Sequence, residues 1–131
     1  MIKEFSCDHP KQRIDISPSD SSIYLFHSCH DLDITIRPGT YSGKVWLAAL
    51  AANSLTVTQF EKVELELYSD ANDNELRNFS GNSLHVATPG NDVKILNGSW
   101  AGKGTISVKY AKNVTFFSIP IFMVVVNLNS I

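Results

Sequence analysis

Two short clusters of cysteine and histidine near the start of the chain could supply metal ligands. They read Cys7-Asp8-His9 and His27-Ser28-Cys29-His30. Cysteine and histidine are the usual ligands of structural zinc, so a mixed site could form if the first cluster folded over the second. However, strand alternation places His27 and Cys29 on one side and His30 on the other, and the spacing matches no common zinc motif. We therefore predict no metal and no cofactor. The two cysteines are interpreted as buried thiols in a reducing compartment, with one bridge between them left open.

A run of oxygen-bearing side chains, Asp70-Ala71-Asn72-Asp73-Asn74-Glu75, looks like the opening of a calcium-binding loop. An EF-hand loop requires glycine at its sixth position and a bidentate glutamate at its twelfth, and this chain has Glu75 and Gly81 there. The run therefore predicts a solvated turn.

The residue sets for acid/base or nucleophilic chemistry are incomplete. Asp33 and Arg37 would share the outward face of one strand, but the matching outward positions of neighbouring segments carry no second carboxylate. Serine, histidine and aspartate occur without the sequence context of a hydrolase triad. The sequence therefore indicates a protein that is not an enzyme.

The elements that would position these residues are short apolar segments that recur about every 22 residues. One series consists of Ile23-Tyr24-Leu25, Val45-Trp46-Leu47, Val63-Glu64-Leu65, Val93-Lys94-Ile95 and Val114-Thr115-Phe116. The interleaved series consists of Leu32-Asp33-Ile34, Leu55-Thr56-Val57, Leu84-His85-Val86, Ile106-Ser107-Val108 and Ile121-Phe122-Met123. Two interleaved series predict an all-β fold, a single-stranded right-handed parallel β-helix (solenoid) of about four to five coils. An antiparallel β-sandwich or jelly roll is the alternative, since it also has frequent turns.

The spacing also predicts the domain organisation, which is a single solenoid domain over residues 1–131. Residues 1–21 precede the first repeat and are interpreted as an N-terminal arm or cap. Residues 68–82 are interpreted as a loop inserted into the stack, because the step from Leu55 to Leu84 is the longest. The last segment leaves an open strand edge, so a homo-oligomer through the C-terminal edge strand is a further expectation.

Composition excludes several classes of function. The formal net charge is −2 and the 11 basic residues are scattered, so we expect no binding to nucleic acid. The start of the chain lacks the apolar run of a signal peptide, and the apolar stretch at 119–126 is too short to cross a membrane as a helix. The expected location is therefore cytoplasmic.

Two stretches, Phe26 to Ile36 and Pro38 to Gly43, resemble coils of right-handed parallel β-helices, with pectin-lyase-like proteins as the nearest resemblance. That resemblance implies clustered aspartates and a basic residue on one face, for which the chain offers Asp31, Asp33 and Arg37. Residues 51–81 are similar to the β-helix of tubulin-binding cofactor C and the cyclase-associated proteins. Their arginine supports GTPase activation, but Thr56 stands at that place, so the resemblance does not carry this activity over.

The remaining candidates lie on the predicted outward strand faces and on the acidic turn. The predicted contact residues are Tyr24, Phe26, Trp46, Glu64, Glu66, Asp70, Asp73 and Glu75. Exposed aromatic side chains suit protein interfaces, although residues 1–21 could equally cover them as a lid.

These residues predict a non-catalytic binding protein that acts through protein contacts. It would be an inhibitor, an immunity protein or an adaptor, and a phage or other mobile element could encode it. The first alternative is a carbohydrate-binding or polysaccharide-degrading β-helix, which would use Tyr24, Trp46, Asp33 and Arg37. The second alternative is a structural solenoid that self-assembles through its ends.

Overall fold

The computed structural model describes residues 1–89, 91–118 and 124–127, and its regular elements in these ranges are β-strands. In chain order the strands are β1 (Ile2–Ser6), β2 (Lys11–Ile16), β3 (Ile23–His27), β4 (Asp31–Ile36), β5 (Lys44–Leu50), β6 (Ser54–Thr58), β7 (Glu64–Ser69), β8 (Asp73–Ala87), β9 (Asp92–Lys109), β10 (Asn113–Phe117) and β11 (Val124–Asn127). The long strands β8 and β9 each turn a corner, so each contributes one arm to each of two sheets.

The strands stack as a parallel β-solenoid of about five turns with two sheets. The first sheet contains β1, β3, β5, β7, residues 83–87 of β8, residues 105–109 of β9, and β11. The second contains β2, β4, β6, residues 73–77 of β8, residues 92–96 of β9, and β10. These pairings are all parallel, which confirms the predicted solenoid and excludes the antiparallel sandwich.

The core lies between the two sheets and is built by strict alternation. In β4, Leu32, Ile34 and Ile36 are buried while the residues between them are half-exposed. Side-chain size is matched between coils, since Phe26 is in register with the small Ala49. On the other side of Phe26, the ring of Phe5 stacks at a centroid distance of 5.0 Å.

The corners require left-handed backbone conformations. Gln59, Asn78, Asn97 and Ser118 have positive φ angles at the corner that follows the second sheet. Asparagine tolerates this conformation better than most residues. Asn97 Nδ2 donates to Asn78 Oδ1 across one coil at 3.3 Å, so the corner asparagines also form part of a ladder.

Two of the predicted outward residues are buried, and that part of the prediction is wrong. Tyr24 is 3% exposed and Phe26 is fully buried. The run Ile23-Tyr24-Leu25-Phe26 contains no polar residue, so its sequence does not show which alternate residues face the core. Register decides it, because Tyr24 pairs with Leu47, which also faces the core.

The predicted loop at residues 68–82 is also wrong, because this segment belongs to a regular coil. It holds the end of β7 and the first arm of β8, which pairs with β6 and β9. The predicted repeats omit one strand arm, residues 73–77 of β8, and this omission exchanges the two repeat series beyond it. Val93 and Val114 therefore lie in the second sheet, while Leu84 and Ile106 lie in the first.

Residues 1–21 form the first coil of the stack, which corrects the interpretation of an arm or lid. β1 pairs with β3 and β2 pairs with β4 over their full lengths. The outward face of the first sheet is therefore left uncovered by this segment. The predicted strand at Ile121-Phe122-Met123 lies outside the described residues, and β11 follows it and pairs with β9.

A carboxylate at the corner between β2 and β3 makes the free energy of unfolding depend on pH. Asp20 Oδ1 accepts hydrogen bonds from the backbone N–H and the hydroxyl of Ser22, and the side-chain bond is the main reason why the pKa of Asp20 lies below its ordinary value. A lowered folded-state pKa stabilises the fold above the unfolded-state pKa, and this contribution is lost as pH falls through the folded-state value. We expect Asp20→Asn to show a smaller loss of stability in acid than the wild type. Urea unfolding between about pH 2 and 6 measures this, and identical acid profiles would contradict it.

Candidate functional site

The outward face of the first sheet presents a concentrated set of exposed apolar side chains. Among the described residues, the exposed large apolar side chains are Met1, Ile2, Ile23, Trp46, Leu50, Tyr68 and Phe117. Five of these seven lie on this one face, and we call that set (Ile2, Ile23, Trp46, Leu50 and Tyr68) the apolar face. Ile2, Ile23 and Trp46 occupy matching positions on three consecutive coils. Contiguous exposed apolar surface of this kind is typical of interaction sites.

A groove of about 370 Å³ opens in this face, and we call it the Trp46 groove. The rings of Trp46 and Tyr68 line it and are 37% and 43% exposed. Tyr68 is in register with Ala48 on one side and with Ala87 on the other. The small alanines leave space beside the tyrosine ring, and this creates the depression.

An ion pair between Lys44 and Glu66 lies at the edge of the groove. Lys44 Nζ lies 3.1 Å from Glu66 Oε1 and 5.0 Å from the ring centroid of Trp46. Both side chains are partly exposed, so the pair contributes at most about 1 kcal/mol to stability. Its main effect is to neutralise Glu66 inside the groove lining.

Two basic side chains complete the lining. His85 is in register with Glu66, and Lys109 is in register with Ala87. Among the described residues, neither His85 nor Lys109 forms an ion pair. The groove therefore combines two aromatic rings and an alanine floor with a cationic end at Lys109.

The predicted contact residues divide between different parts of the fold. Trp46, Glu64 and Glu66 lie on the outward face of the first sheet, as predicted. Asp73 and Glu75 lie on the second sheet, where they line a separate groove of about 310 Å³ with Asp92 and Lys94.

Asp70 lies at the corner after β7 and acts as a structural cap. Its Oδ1 accepts a hydrogen bond from the backbone N–H of Ala51 at 2.7 Å, and Ala51 has a positive φ angle. The three acidic residues therefore do not form one common contact surface.

The four residues that the carbohydrate alternative would use do not lie on one surface. Tyr24 is buried, and Trp46 lies on the first sheet. Asp33 and Arg37 lie on and just after β4 of the second sheet. There Asp33 Oδ2 is 3.7 Å from Arg13 Nε, and Arg37 Nη2 is 2.6 Å from Asp15 Oδ2. These charges pair with neighbouring coils.

The two cysteines form a disulfide, which overturns both the buried-thiol interpretation and the zinc set. Cys7 and Cys29 are joined across the first two coils. The adjacent histidines have different partners. His27 Nε2 lies 3.8 Å from Glu4 Oε2, and His30 Nδ1 lies 3.5 Å from Asn53 Nδ2. Within the described part of the chain, no group of three or more His, Cys, Asp and Glu side chains could hold a metal ion.

Sequence reasoning missed the residues that give the groove its shape. Tyr68 was assigned to the inserted loop, and Ala87 and Lys109 carried no signal of their own. The alternation of Leu65, Glu66 and Leu67 continues to Tyr68, and this pattern could have placed the tyrosine on the outward face.

Within the described ranges, no helix has the length and apolar character needed to cross a membrane. Comparison with known proteins finds no matching family model, no matching curated protein and no matching solved structure. The resemblance to known β-helices is therefore limited to architecture.

Proposed function

We propose that this chain is a non-catalytic β-solenoid that binds another protein through the outward face of its first sheet. The observation that carries the proposal is the concentration of exposed apolar side chains on the apolar face. A regular parallel stack fixes the backbone beneath these side chains, so little backbone entropy is lost when a partner covers them. Inhibitors, immunity proteins and adaptors are protein classes that would use such a surface.

The distribution of charge around the face supports a protein partner. Lys44, Glu64 and His27 border the apolar residues and are exposed or half-buried. An apolar centre with a polar rim is the usual anatomy of a protein interface. The carboxylates Asp33 and Asp15 are held in ion pairs on the second sheet, so they do not favour the polysaccharide-degrading alternative.

The experiment is affinity capture from the host with matched variants, followed by titration calorimetry with the purified partner. Trp46→Ala and Tyr68→Ala are each expected to weaken the partner's affinity at least about tenfold, which corresponds to about 1.4 kcal/mol. Phe117→Ala is the control, because Phe117 is an aromatic residue that is 59% exposed on the other sheet. We expect its affinity to stay within about twofold of the wild type.

The outcome that contradicts the proposal is a partner whose affinity is unchanged by both groove variants. Saturable binding on a glycan array, abolished by Trp46→Ala, would instead establish the carbohydrate alternative. Folding of each variant is checked first by its thermal unfolding midpoint.

The location proposed with this function is an oxidising compartment. The cytoplasmic location expected from the sequence conflicts with the Cys7–Cys29 disulfide, because cytosolic thiols are normally kept reduced. Rapid alkylation of thiols in intact host cells tests this point. If both cysteines are alkylated before any reductant is added, the disulfide is absent in the cell and a cytoplasmic location is favoured instead.

A further inference from the structure

We propose that the Trp46 groove recognises an apolar, carboxylate-bearing segment of the partner, such as an aromatic side chain next to an acidic group. The inference rests on the proposed function and specifies the chemistry of the partner. It assigns the ring to the space between Trp46 and Tyr68, and the carboxylate to Lys109.

The shape of the groove suits one flat apolar group. Neighbouring coils of a parallel solenoid lie about 4.8 Å apart, and alternate residues along a strand lie about 6.6 Å apart. Trp46 and Tyr68 are one coil and two residues apart in register, so their rings bound a diagonal space above Ala48. At about 370 Å³ the groove is at the small end of the range for ligand sites, which is about 300 to 1,000 Å³.

The charges leave a net positive end. Lys44 is committed to Glu66, and this pair cancels the carboxylate in the lining. Lys109 has no ion-pair partner among the described residues. It lies beside Ala87 and two coils beyond Tyr68. A carboxylate on the bound segment would supply the missing counter-charge.

The lining of the groove is mostly apolar, which favours an aromatic group over a sugar chain. Glu66 is engaged by Lys44, so the polar groups left in the described lining are the indole N–H of Trp46 and the side chains of Tyr68, His85, Ser107 and Lys109. A saccharide presents several hydroxyl groups per ring, and those without partners would be desolvated at a cost. A single aromatic acid requires only an apolar space and one cation.

The test uses small probes of the same ring system and opposite charge. Indole-3-propionate and tryptamine are titrated into ¹⁵N-labelled protein, with a cello-oligosaccharide as the saccharide probe. We expect saturable shifts of the amides of Trp46, Ala48, Tyr68, Ala87 and Lys109 with indole-3-propionate, at a Kd of about a millimolar. Tryptamine should bind about three- to fivefold more weakly.

Lys109→Ala should remove this preference, because it weakens binding of indole-3-propionate and relieves the repulsion of tryptamine. Lys94→Ala is the matched control, because Lys94 is an exposed lysine that lines the groove on the second sheet. It should leave both affinities unchanged. Equal affinities for the two indoles, shifts centred outside the groove, or binding of the oligosaccharide alone would each overturn the inference.

The two proposals fail in distinguishable ways. If Trp46→Ala abolishes partner binding but the indoles bind equally, the interface stands and the charge preference is wrong. If indole-3-propionate binds with the expected preference but Trp46→Ala leaves partner binding intact, the groove is a site and the proposed protein interface is wrong.

Discussion

Replacing Phe79 by alanine is expected to lower the free energy of unfolding by about 3 to 5 kcal/mol. The ring of Phe79 is 3% exposed and stacks on Phe60 at a centroid distance of 4.5 Å. These rings fill the corner that follows the second sheet, where Phe79 is in register with Gly98. Deleting the ring removes buried apolar area and leaves a cavity that the repeating backbone can close only in part. Chemical denaturation measures the loss, which is large against a typical total of about 5 to 15 kcal/mol.

The glycine beneath the ring supplies a second arm of the same experiment. A Cβ atom at Gly98 would overlap Cζ of Phe79, so Gly98→Ala forces the ring to move and is expected to cost about 1 to 3 kcal/mol. The same substitution in the Phe79→Ala background should cost less, because the clash is gone. Phe117→Ala is the surface control and should change stability by less than about 1 kcal/mol. If Phe79→Ala and Phe117→Ala lower the free energy of unfolding equally, the packing described for the corner with Phe60 and Phe79 is wrong.

The architecture was predictable because the coil length of a solenoid appears in the sequence as a regular spacing of apolar segments. Each coil uses 18 to 23 residues, as the register pairs Ile106 with Val124 and Thr35 with Thr58 show. Strands such as β4 alternate polar and apolar residues, and their facing direction can be read directly.

The strand arm at residues 73–77 was not predictable from periodicity alone, because a polar residue occupies one of its core positions. Asn74 is 2% exposed and stands where other coils place Leu55 or Val93. Its side chain donates to the carbonyl of Ala71 and accepts from the hydroxyl of Ser69, so the polar group is satisfied inside the stack. A buried asparagine reads as turn chemistry in sequence, and only the three-dimensional hydrogen bonds identify it as core.

The candidate site was predictable only in part for a related reason. Glu66 was recognised because it interrupts apolar neighbours on its strand, whereas Trp46 lies in an apolar run that does not itself reveal which residues face outward. Tyr24 was misplaced because every residue around it is apolar. The contribution of Lys109 depends on which coil lies next to Ala87, which is information about register that spacing does not contain.

Replacing both Cys7 and Cys29 by serine is expected to lower the free energy of unfolding by about 3 kcal/mol. The disulfide closes a loop with a sequence separation of 22, and the chain-entropy cost of a loop of this length gives that magnitude. Among the described residues, β1 pairs only with β3 and β2 pairs only with β4, so the bridge fastens a terminal coil that has a neighbour on one side.

The loss should therefore begin in the first coil. Amide hydrogen exchange is expected to accelerate most in β1 and β2, and much less in β5 and β7, because terminal elements open at lower free energy than central ones. Wild-type protein in a thiol reductant should match the double variant, since both lack the same bond. Ser6→Ala changes a neighbouring exposed residue without affecting the bridge, and it controls for local sequence effects. Uniform acceleration over all coils would mean that the bridge stabilises the whole stack through the unfolded chain, and unchanged exchange in β1 and β2 would show that the first coil does not depend on it.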